Sequence, residues 1–585
     1  MEEQVSFLQG KWEEKMEKLP KEPIYPYRKI PIHEYLYRHA NEFPEKDFLV
    51  YYGRRITFRE LNELANIFAN YLISEGLSKG ERVALLLPNC PQFYIGYFGT
   101  LKAGCVAVLL NPLLRELELK YFFEQAKPKV IFALDQVFYA VNKAKEDLKD
   151  PKIILTSFKD FLPSNPELEP HESMLEEIFC GEVQKFGDLK ANKSEPRVEV
   201  GIQDYATMNF TGGTTGMPKP VLHRHLSSVY KGACLLTYSN AQIYRGEDPE
   251  AFIKNLRDHS VSLAVMPIFW IAGFDFGVVA PTMLGSKVVV LTRWSPQTAL
   301  SAIKIYKVTD TYMTFDMYWE ILNLNPSPKD MHSLKNCTGS SFVKGLSKEL
   351  RERWKELTGT VLREASYGLT ETHTFDTITA GFQEHDMDLE RSERYGAKFC
   401  GIPCPGTKIM VLDENGRPCK PGKVGEIVIK SPSLVDEYVG KPEESKKAFK
   451  NGWFFTGDLG MFDEEGFLYF IARKKDLLKV SGISVYPAQI ESMLLRHPSV
   501  EMCAVLGIED PEQGQVPVAF VKLRSEVSEE ELLKWCREKM APFNVPKRII
   551  IRENLPLNPA GKILKEELKK ELGFAPSRLK IFPEP

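Results

Sequence analysis

Short apolar runs alternate with segments of helical period through the first half of the chain. Glu81-Arg-Val-Ala-Leu-Leu-Leu-Pro88, Cys105-Val-Ala-Val-Leu-Leu110 and Lys129-Val-Ile-Phe-Ala133 are nearly continuous apolar stretches. Such runs fit strands buried on both faces of a parallel sheet. Between the first two, Phe93 to Ala103 reads as a helix. Upstream, residues 1 to about 30 are charged and proline-bearing, and predict a helix with an extended lead-in. Ile30 to Leu49 reads as an amphipathic helix entering a strand. Arg54 to Leu61 reads as a strand running into a helix, with Thr57 as the N-cap and Glu60 three residues on. Strand–helix–strand order with short connections implies a doubly wound α/β sheet.

Lys152 to Glu199 is charged, carries little periodic signal and reads as a connector. The rhythm then returns, with strands predicted at Leu263-Ala-Val-Met-Pro267, Lys287-Val-Val-Val-Leu291 and Thr311-Tyr-Met-Thr314. The most apolar window, Val261 to Leu284, contains Pro267, Asp275 and Pro281. Those residues argue against a transmembrane span, and the window reads as a buried strand, a turn and a buried helix. Past Gly401 the texture changes to short β segments, Lys408-Ile-Met-Val-Leu-Asp413, Gly425-Glu-Ile-Val-Ile-Lys430 and Gly466-Phe-Leu-Tyr-Phe-Ile471, which predict a small barrel-like unit. After the charged stretch Ala472 to Lys479, helix and strand alternate again. Ile490 to Arg496 and Glu530 to Met540 are the helical segments, with Ser528 and Glu531 as a capping box. Cys503-Ala-Val-Leu-Gly507 and Val518-Ala-Phe-Val-Lys522 are the strands. The expected fold is α/β: a large N-terminal domain, residues 1–474, of doubly wound sheets plus the β-barrel-like unit. A small α+β domain, residues 475–585, of ordinary domain size follows.

Composition narrows the function classes. A chain of 585 residues exceeds a single core. Its 43% hydrophobic and 26% charged residues are those of a soluble globular protein. A net charge of -3 gives no pull toward nucleic acid or anionic lipid, so no nucleic-acid partner is expected. Met1-Glu-Glu-Gln-Val lacks the basic and apolar regions of a signal peptide. Among ten cysteines only Cys400 and Cys404 lie close, and no second pair or histidine completes a zinc set. Reduced thiols in a cytoplasmic setting are the expectation.

The densest chemical signal is Phe210-Thr-Gly-Gly-Thr-Thr-Gly-Met-Pro-Lys219, after a strand-like Tyr205 to Phe210. Glycines allow tight turns and close backbone approach to a ligand. Successive N–H groups in such a turn form an anion site. Thr211, Thr214 and Thr215 add hydroxyls, and Lys219 adds charge. These are parts for holding a polyphosphate, although a polar surface loop would use similar residues. The stretch is not a Walker loop, since Lys219 lies between two prolines, closes the loop and starts no helix.

Four further segments stand in order behind it: Ser366-Tyr-Gly-Leu-Thr-Glu371, Gly452-Trp-Phe-Phe-Thr-Gly-Asp458, Arg473-Lys-Lys-Asp-Leu-Leu-Lys-Val-Ser-Gly482 and Pro556-Leu-Asn-Pro-Ala-Gly-Lys562. With the glycine loop, they resemble the motifs of the adenylate-forming superfamily, in particular its AMP-forming acyl-CoA synthetases. The resemblance also takes in Thr57 to Leu61 and Leu101 to Pro112, and so spans nearly the whole chain. It departs at Gly212, where serine is usual, at Pro220, where glycine is usual, and at Ala472, where glycine or aspartate is commoner.

The resemblance implies a set of roles. Thr211, Gly212, Gly213, Thr214, Thr215, Gly216 and Lys219 would cradle ATP. Ser366, Tyr367, Gly368 and Thr370 would bind its base and α-phosphate, with Tyr367 packed on adenine. Glu371 and Thr214 would hold Mg²⁺, a hard cation that prefers oxygen ligands. Asp458 would accept the two ribose hydroxyls, and Arg473 would hold ribose or phosphate. Lys562 would offset the repulsion between the acid's carboxylate and the α-phosphate. Lys475 would be a hinge, and Ser481, Gly482 and Ile483 would lie near CoA. The acid pocket would include Trp270, in a position where the family has histidine, with Gly339 and Ser340. Phe269, Trp270, Phe274 and Phe276 favour an acid without a charged tail, such as a fatty or hydroxy acid.

The activity implied is an acid–thiol ligase that converts ATP and a monocarboxylic acid to acyl-AMP and pyrophosphate, then to acyl-CoA. ATP, Mg²⁺ and coenzyme A are the implied cofactor and co-substrates, and a homodimer is one option for the oligomeric state. The alternative is an amino-acid or aryl-acid adenylation enzyme that loads a carrier protein, with Asp275 as the candidate partner of an amine. A nucleotide-binding protein without chemistry is a third reading, opposed by the intact Lys562, Glu371 and Asp458.

Overall fold

A computed structural model of the chain describes residues 2–572 except 147, 149–150, 177, 179, 212–216, 242–243, 245, 341–344, 481–482, 512, 541 and 559–562. The first sheet, parallel except for its edge strand β2, contains β1 (Asp47–Tyr51), β2 (Arg54–Thr57), and, after other elements, β9, β10, β11, β12 and β13. The second contains β3 (Arg82–Leu86), β4 (Val106–Leu109), β5 (Val130–Leu134), β6 (Lys152–Thr156), β7 (Tyr205–Phe210) and β8 (Pro220–Arg224). In the first sheet, β9 is Val261–Ala264, β10 Lys287–Val290, β11 Asp310–Thr314, β12 Asn336–Ser340 and β13 Leu362–Glu364.

The second sheet runs in the order β6-β5-β3-β4-β7-β8, and the first in the order β13-β12-β11-β9-β10-β1-β2. The chain therefore starts one sheet, builds most of the other, and returns to the first. Leu49 of β1 pairs with Val288 of β10 in a parallel ladder. The strands read as nearly continuous apolar runs because helices cover both faces. The helices Phe58–Ser74 and Pro91–Lys102 pack on each other there. Thr57 caps the first of them, accepting a hydrogen bond from the Glu60 amide, as the sequence predicts.

β6 corrects the reading of 152–199 as a connector: Lys152–Thr156 pairs in parallel with β5 at the sheet edge. Its first two residues are not buried, so the apolar run is short and its period weak. The window 261–284 folds as predicted into a strand, a turn and a buried helical segment. That segment comprises Ile271–Phe274, a π-turn over Asp275–Val279, and Ala280–Leu284.

The third sheet is antiparallel and takes the order β14-β15-β20-β19-β17-β16, with β18 beside β19. Here β14 is Thr377–Ile378, β15 Lys398–Pro403, β16 Lys408–Leu412, β17 Gly425–Lys430, β18 Phe449–Lys450, β19 Trp453–Phe462 and β20 Leu468–Arg473. It is the β unit foreseen past Gly401. The small C-terminal domain carries β21 (Leu478–Val480), β22 (Ile483–Val485), β23 (Val500–Asp510), β24 (Gly514–Leu523) and β25 (Arg548–Ile551). Its helices are Pro487–Leu494, Glu529–Lys539 and Lys565–Glu571, and the capping box of Ser528 and Glu531 is present. Its core is separate, built around Leu494, Val505, Ala519, Leu532 and Ile549. All ten cysteines are free thiols, and no described helix is long and apolar enough to cross a membrane.

Candidate active site

β7 and β8 form an antiparallel hairpin whose tip is the glycine loop, with Phe210 opposite Pro220. The base of the loop is pinched: the Thr211 amide donates to the Lys219 carbonyl at 2.9 Å, and the Lys219 amide to Thr211 Oγ1 at 3.3 Å. Lys219 thus closes the loop and enters a strand. Gly212, Gly213, Thr214, Thr215 and Gly216 lie outside the described residues, as do Ser481, Gly482 and Lys562.

The ammonium of Lys219 sits 4.3 Å from the centre of the Tyr438 ring. The hydroxyl of Tyr438 donates to Glu371 Oε1 at 2.7 Å. Burial, then the adjacent Glu371 carboxylate, pushes the Tyr438 phenol far above its usual range. Glu371 is almost fully buried and belongs to the short turn Thr370–Thr372. A buried carboxylate with a second oxygen not engaged by Tyr438 is an oxygen ligand suited to a hard cation, so Glu371 fits Mg²⁺.

The turn that carries Glu371 is held in an uncommon backbone. His373, Thr374 and Phe375 have φ of 61°, 52° and 45°, three successive non-glycine residues in the left-handed region. A buried ion pair supports it. Lys231, from the helix His225–Tyr238, meets Asp376 Oδ1 at 2.5 Å and donates to the Phe375 carbonyl at 3.1 Å. Both side chains are fully excluded from solvent. Thr372 donates to the other Asp376 oxygen. A side chain at Gly368 would meet the Phe375 amide at 2.4 Å, so this turn folds back on the preceding segment without room for a Cβ.

His373 ties the turn to the acid-pocket wall. Its Nδ1 lies 3.1 Å from Asp275 Oδ2, and its Nε2 lies 3.0 Å from Ser228 Oγ. All three side chains are buried, and the array ties the turn to the helices that carry Ser228 and Asp275. Burial holds His373 down at about 3 and pushes the Asp275 carboxyl well up. Asp275 therefore faces His373 through its Oδ2.

A second cluster joins Tyr367, Asp458 and Arg473. Asp458 on β19 stands directly opposite Arg473 on β20. That register brings Arg473 Nη1 to 2.9 Å from Asp458 Oδ1. The Tyr367 hydroxyl donates to Asp458 Oδ2 at 2.5 Å across 91 residues of sequence. Asp458 is 1% exposed. Burial, then the Asp458 charge, raises the Tyr367 phenol well above its usual range. The Tyr367 amide is itself fixed on Thr377 Oγ1 at 3.0 Å. Ser366 and Thr370 are half-buried on either side.

Lys475 lies in the turn Lys474–Asp476, where the third sheet ends and the C-terminal domain begins. Burial lowers its ammonium pKa, and Arg473 and Lys219 reinforce this, while Asp476 and Glu566 oppose it. This ammonium is thus near the glycine loop on one side and the C-terminal helix on the other. Ile483 starts β22, its backbone paired with Val480.

The residues that the resemblance assigns to the acid pocket lie beyond the end of β9 and at the end of β12. Trp270 precedes the helix Ile271–Phe274, its ring 5.6 Å from that of Phe269. Ser340 Oγ is 2.6 Å from the hydroxyl of Tyr312. A Cβ on Gly339 would strike Phe315 at 2.3 Å, so the strand lies against that ring. The Tyr312 ring stacks on Phe276 at 4.2 Å. Sequence reasoning missed Tyr312, Tyr438, Lys231 and Asp376. Lys231 and Asp376 are ordinary charged residues in sequence, and only their complete burial marks them.

Comparison with known proteins follows the same order of segments. The family model described as AMP-binding enzyme matches residues 36–439, and its C-terminal-domain model matches residues 489–562. A long-chain-fatty-acid–CoA ligase of Bacillus subtilis (strain 168) is 32% identical, covering 91% of this chain and 93% of its own. A 2-succinylbenzoate–CoA ligase of Bacillus velezensis is 30% identical, covering 92% and 97%. The structure is similar to an o-succinylbenzoate coenzyme A synthetase from Bacillus subtilis in complex with ATP and magnesium ion. That likeness has a TM-score of 0.72 and 26% identity, and covers 92% of this chain and 99% of the other.

Proposed function

The chain belongs to the AMP-binding enzyme family, and on that premise we propose that it is an AMP-forming acid–CoA ligase for a monocarboxylic acid with an apolar body. The observation that carries the reading is the convergence of Tyr367, Asp458 and Arg473, with the Glu371–Tyr438–Lys219 cluster beside the glycine loop.

In the first half-reaction Asp458 accepts the ribose hydroxyls of ATP, and Tyr367 lies beside the base. A carboxylate oxygen of the acid attacks the α-phosphorus, the bond to the bridging oxygen breaks, and pyrophosphate leaves. Lys562 would stand between the two anionic groups, offsetting repulsion where charge develops. Glu371 and Thr214 would hold Mg²⁺, which supplies charge neutralisation to the phosphates. In the second half-reaction the C-terminal domain, taken from Lys475 onward, turns about that residue. Ser481, Gly482 and Ile483 then face CoA. Its thiol loses a proton to water, the sulfur attacks the acyl carbonyl carbon, and AMP leaves. Domain rotation between steps is a recognised way to reset one site for two reactions.

The ten free cysteines fit a reducing, cytoplasmic setting. The test is pyrophosphate release with ATP, Mg²⁺ and a panel of fatty, hydroxy, aryl and amino acids, each with and without CoA. CoA-dependent turnover on a monocarboxylic acid is the expected result. Release with amino acids alone and no CoA effect would overturn the reading.

A further inference from the structure

Next to Phe276 and Tyr312, on the same sheet face as Ser340, lies a cavity with a polar end. It is lined on one side by β9, β11 and β12, and on the other by the helix His225–Tyr238 and the segment 276–286. Ser262, Asp310 and Asn336 are register partners at the starts of these three strands, and side chains of register partners share a sheet face. Tyr312 and Thr338 follow on the same face two residues later, and Ser340 two beyond that. The sheet face therefore runs from the reactive end at Ser340 to Asp310 and Asn336 over about 13 Å, four residues at the usual strand rise. The stacked rings of Phe276 and Tyr312 line the apolar side of the cavity.

The far end is rich in acceptors. Asn336 Oδ1 and Ser286 Oγ are buried and find no hydrogen-bond partner among the described residues. Asn336 is 7% exposed and Ser286 1%, and both line the cavity. The Asn336 amide nitrogen is already engaged, donating to Asn240 Oδ1 at 3.4 Å. Asp310 accepts from Thr309 Oγ1 at 2.5 Å and is also hydrogen-bonded by the Ser260 and Asn336 side chains, and burial raises its carboxyl to about 6. Buried polar groups require partners: the unpaired Asn336 amide oxygen can only accept and so calls for a donor, and the Ser286 hydroxyl beside it can exchange a hydrogen bond with the same group.

We propose that this chamber, formed by Asp310, Asn336 and Ser286, binds the far end of the acid substrate, and that the preferred acid carries a hydrogen-bond donor there. The substrate class is a medium-length ω-hydroxy or ω-amino carboxylic acid, its apolar middle lying against Phe276 and Tyr312. The inference rests on the ligase reading and names the substrate of the same site. A pocket built to satisfy a substrate donor rejects the analogue that lacks one, because the pocket's own polar groups are then left unpaired.

The test compares kcat/KM for ω-hydroxy, ω-amino and unsubstituted acids of equal length, from hexanoate to dodecanoate, using the full chain with ATP, Mg²⁺ and CoA. At one length a donor-bearing acid should exceed its unsubstituted partner by about tenfold or more. Asn336→Leu and Ser286→Ala should each bring that ratio toward one. The hydroxy and amino arms separate the two donors. Equal or better turnover of unsubstituted acids at every length would overturn the proposal while leaving the ligase intact. A preference that survives in both variants would overturn it too. No pyrophosphate release with any acid would instead sink the ligase reading, and this inference with it.

Discussion

Replacing Asp458 with asparagine separates the nucleotide from the rest of the site. Asp458 is 1% exposed, and its two oxygens are held by the Tyr367 hydroxyl at 2.5 Å and Arg473 Nη1 at 2.9 Å. A carboxylate has about four acceptor positions, so about two remain for a pair of ribose hydroxyls. Asparagine keeps one acceptor oxygen, removes the charge, and turns an NH₂ toward groups that are themselves donors. Hydrogen bonds to a charged group contribute about 1.5–3 kcal/mol each, so loss of one corresponds to about a 10- to 150-fold weaker hold on ATP. The expected outcome is a rise of that size in the KM for ATP, with the KM for the acid little changed. Pyrophosphate release at saturating acid and varied ATP measures it. Thermal unfolding of the variant separates lost contact from lost fold, because the Arg473 pair is weakened as well. Asp458→Glu should fall between the two. A folded Asp458→Asn enzyme whose KM for ATP stays within about twofold of the parent would refute the reasoning, since a charged acceptor cannot be lost from a ribose at so little effect.

Three more outcomes follow from the same structure. Lys562→Ala should lower acyl-adenylate formation by about 100- to 1,000-fold, while thioester formation from supplied acyl-AMP and CoA changes far less; equal losses in both halves would remove Lys562 from its assigned step. Lys231→Met leaves Asp376 buried and uncompensated, which costs about 3–5 kcal/mol, whereas Lys231→Met with Asp376→Leu should recover most of it; denaturant unfolding of the single and double variants decides. His39, His225 and His373 are held by burial at about 4, about 3 and about 3. Their folded values lie below the unfolded value, so the unfolded chain binds more protons and stability falls as pH drops from about 6.5 toward those values, by up to about 1.4 kcal/mol per pH unit for each histidine. Urea midpoints measured from about pH 7 to about pH 5 should decline, and a flat profile would contradict the burial of these rings.

The sequence by itself determined the local elements and the chemical inventory. Continuous apolar runs marked β3, β4 and β5 because a strand covered by helices on both faces has no polar side to show. Thr57 with Glu60, and Ser528 with Glu531, marked helix starts because a cap needs only residues three apart. The glycine loop, Glu371, Asp458 and Arg473 stood out in the sequence because each sits in a short segment that resembles a family motif.

What only the tertiary structure decided depends on distance along the chain. β6 escaped notice because two of its five residues are not buried and its partner β5 supplies the context. That β1 joins β10, over two hundred residues on, follows from closing two sheets against each other and has no local signature. Lys231 and Asp376 lie 145 residues apart, and Tyr438 and Glu371 lie 67 apart. A charged or phenolic residue reads as surface until its partner is known, since the pairing alone makes its burial tolerable. The polar end of the cavity beside Tyr312 has the same origin. Asp310, Asn336 and Ser286 come from separate strands and a loop, and only the sheet register sets them around one space. Hydrophobic period is a property of neighbours, whereas a site is a property of the partners that folding brings together.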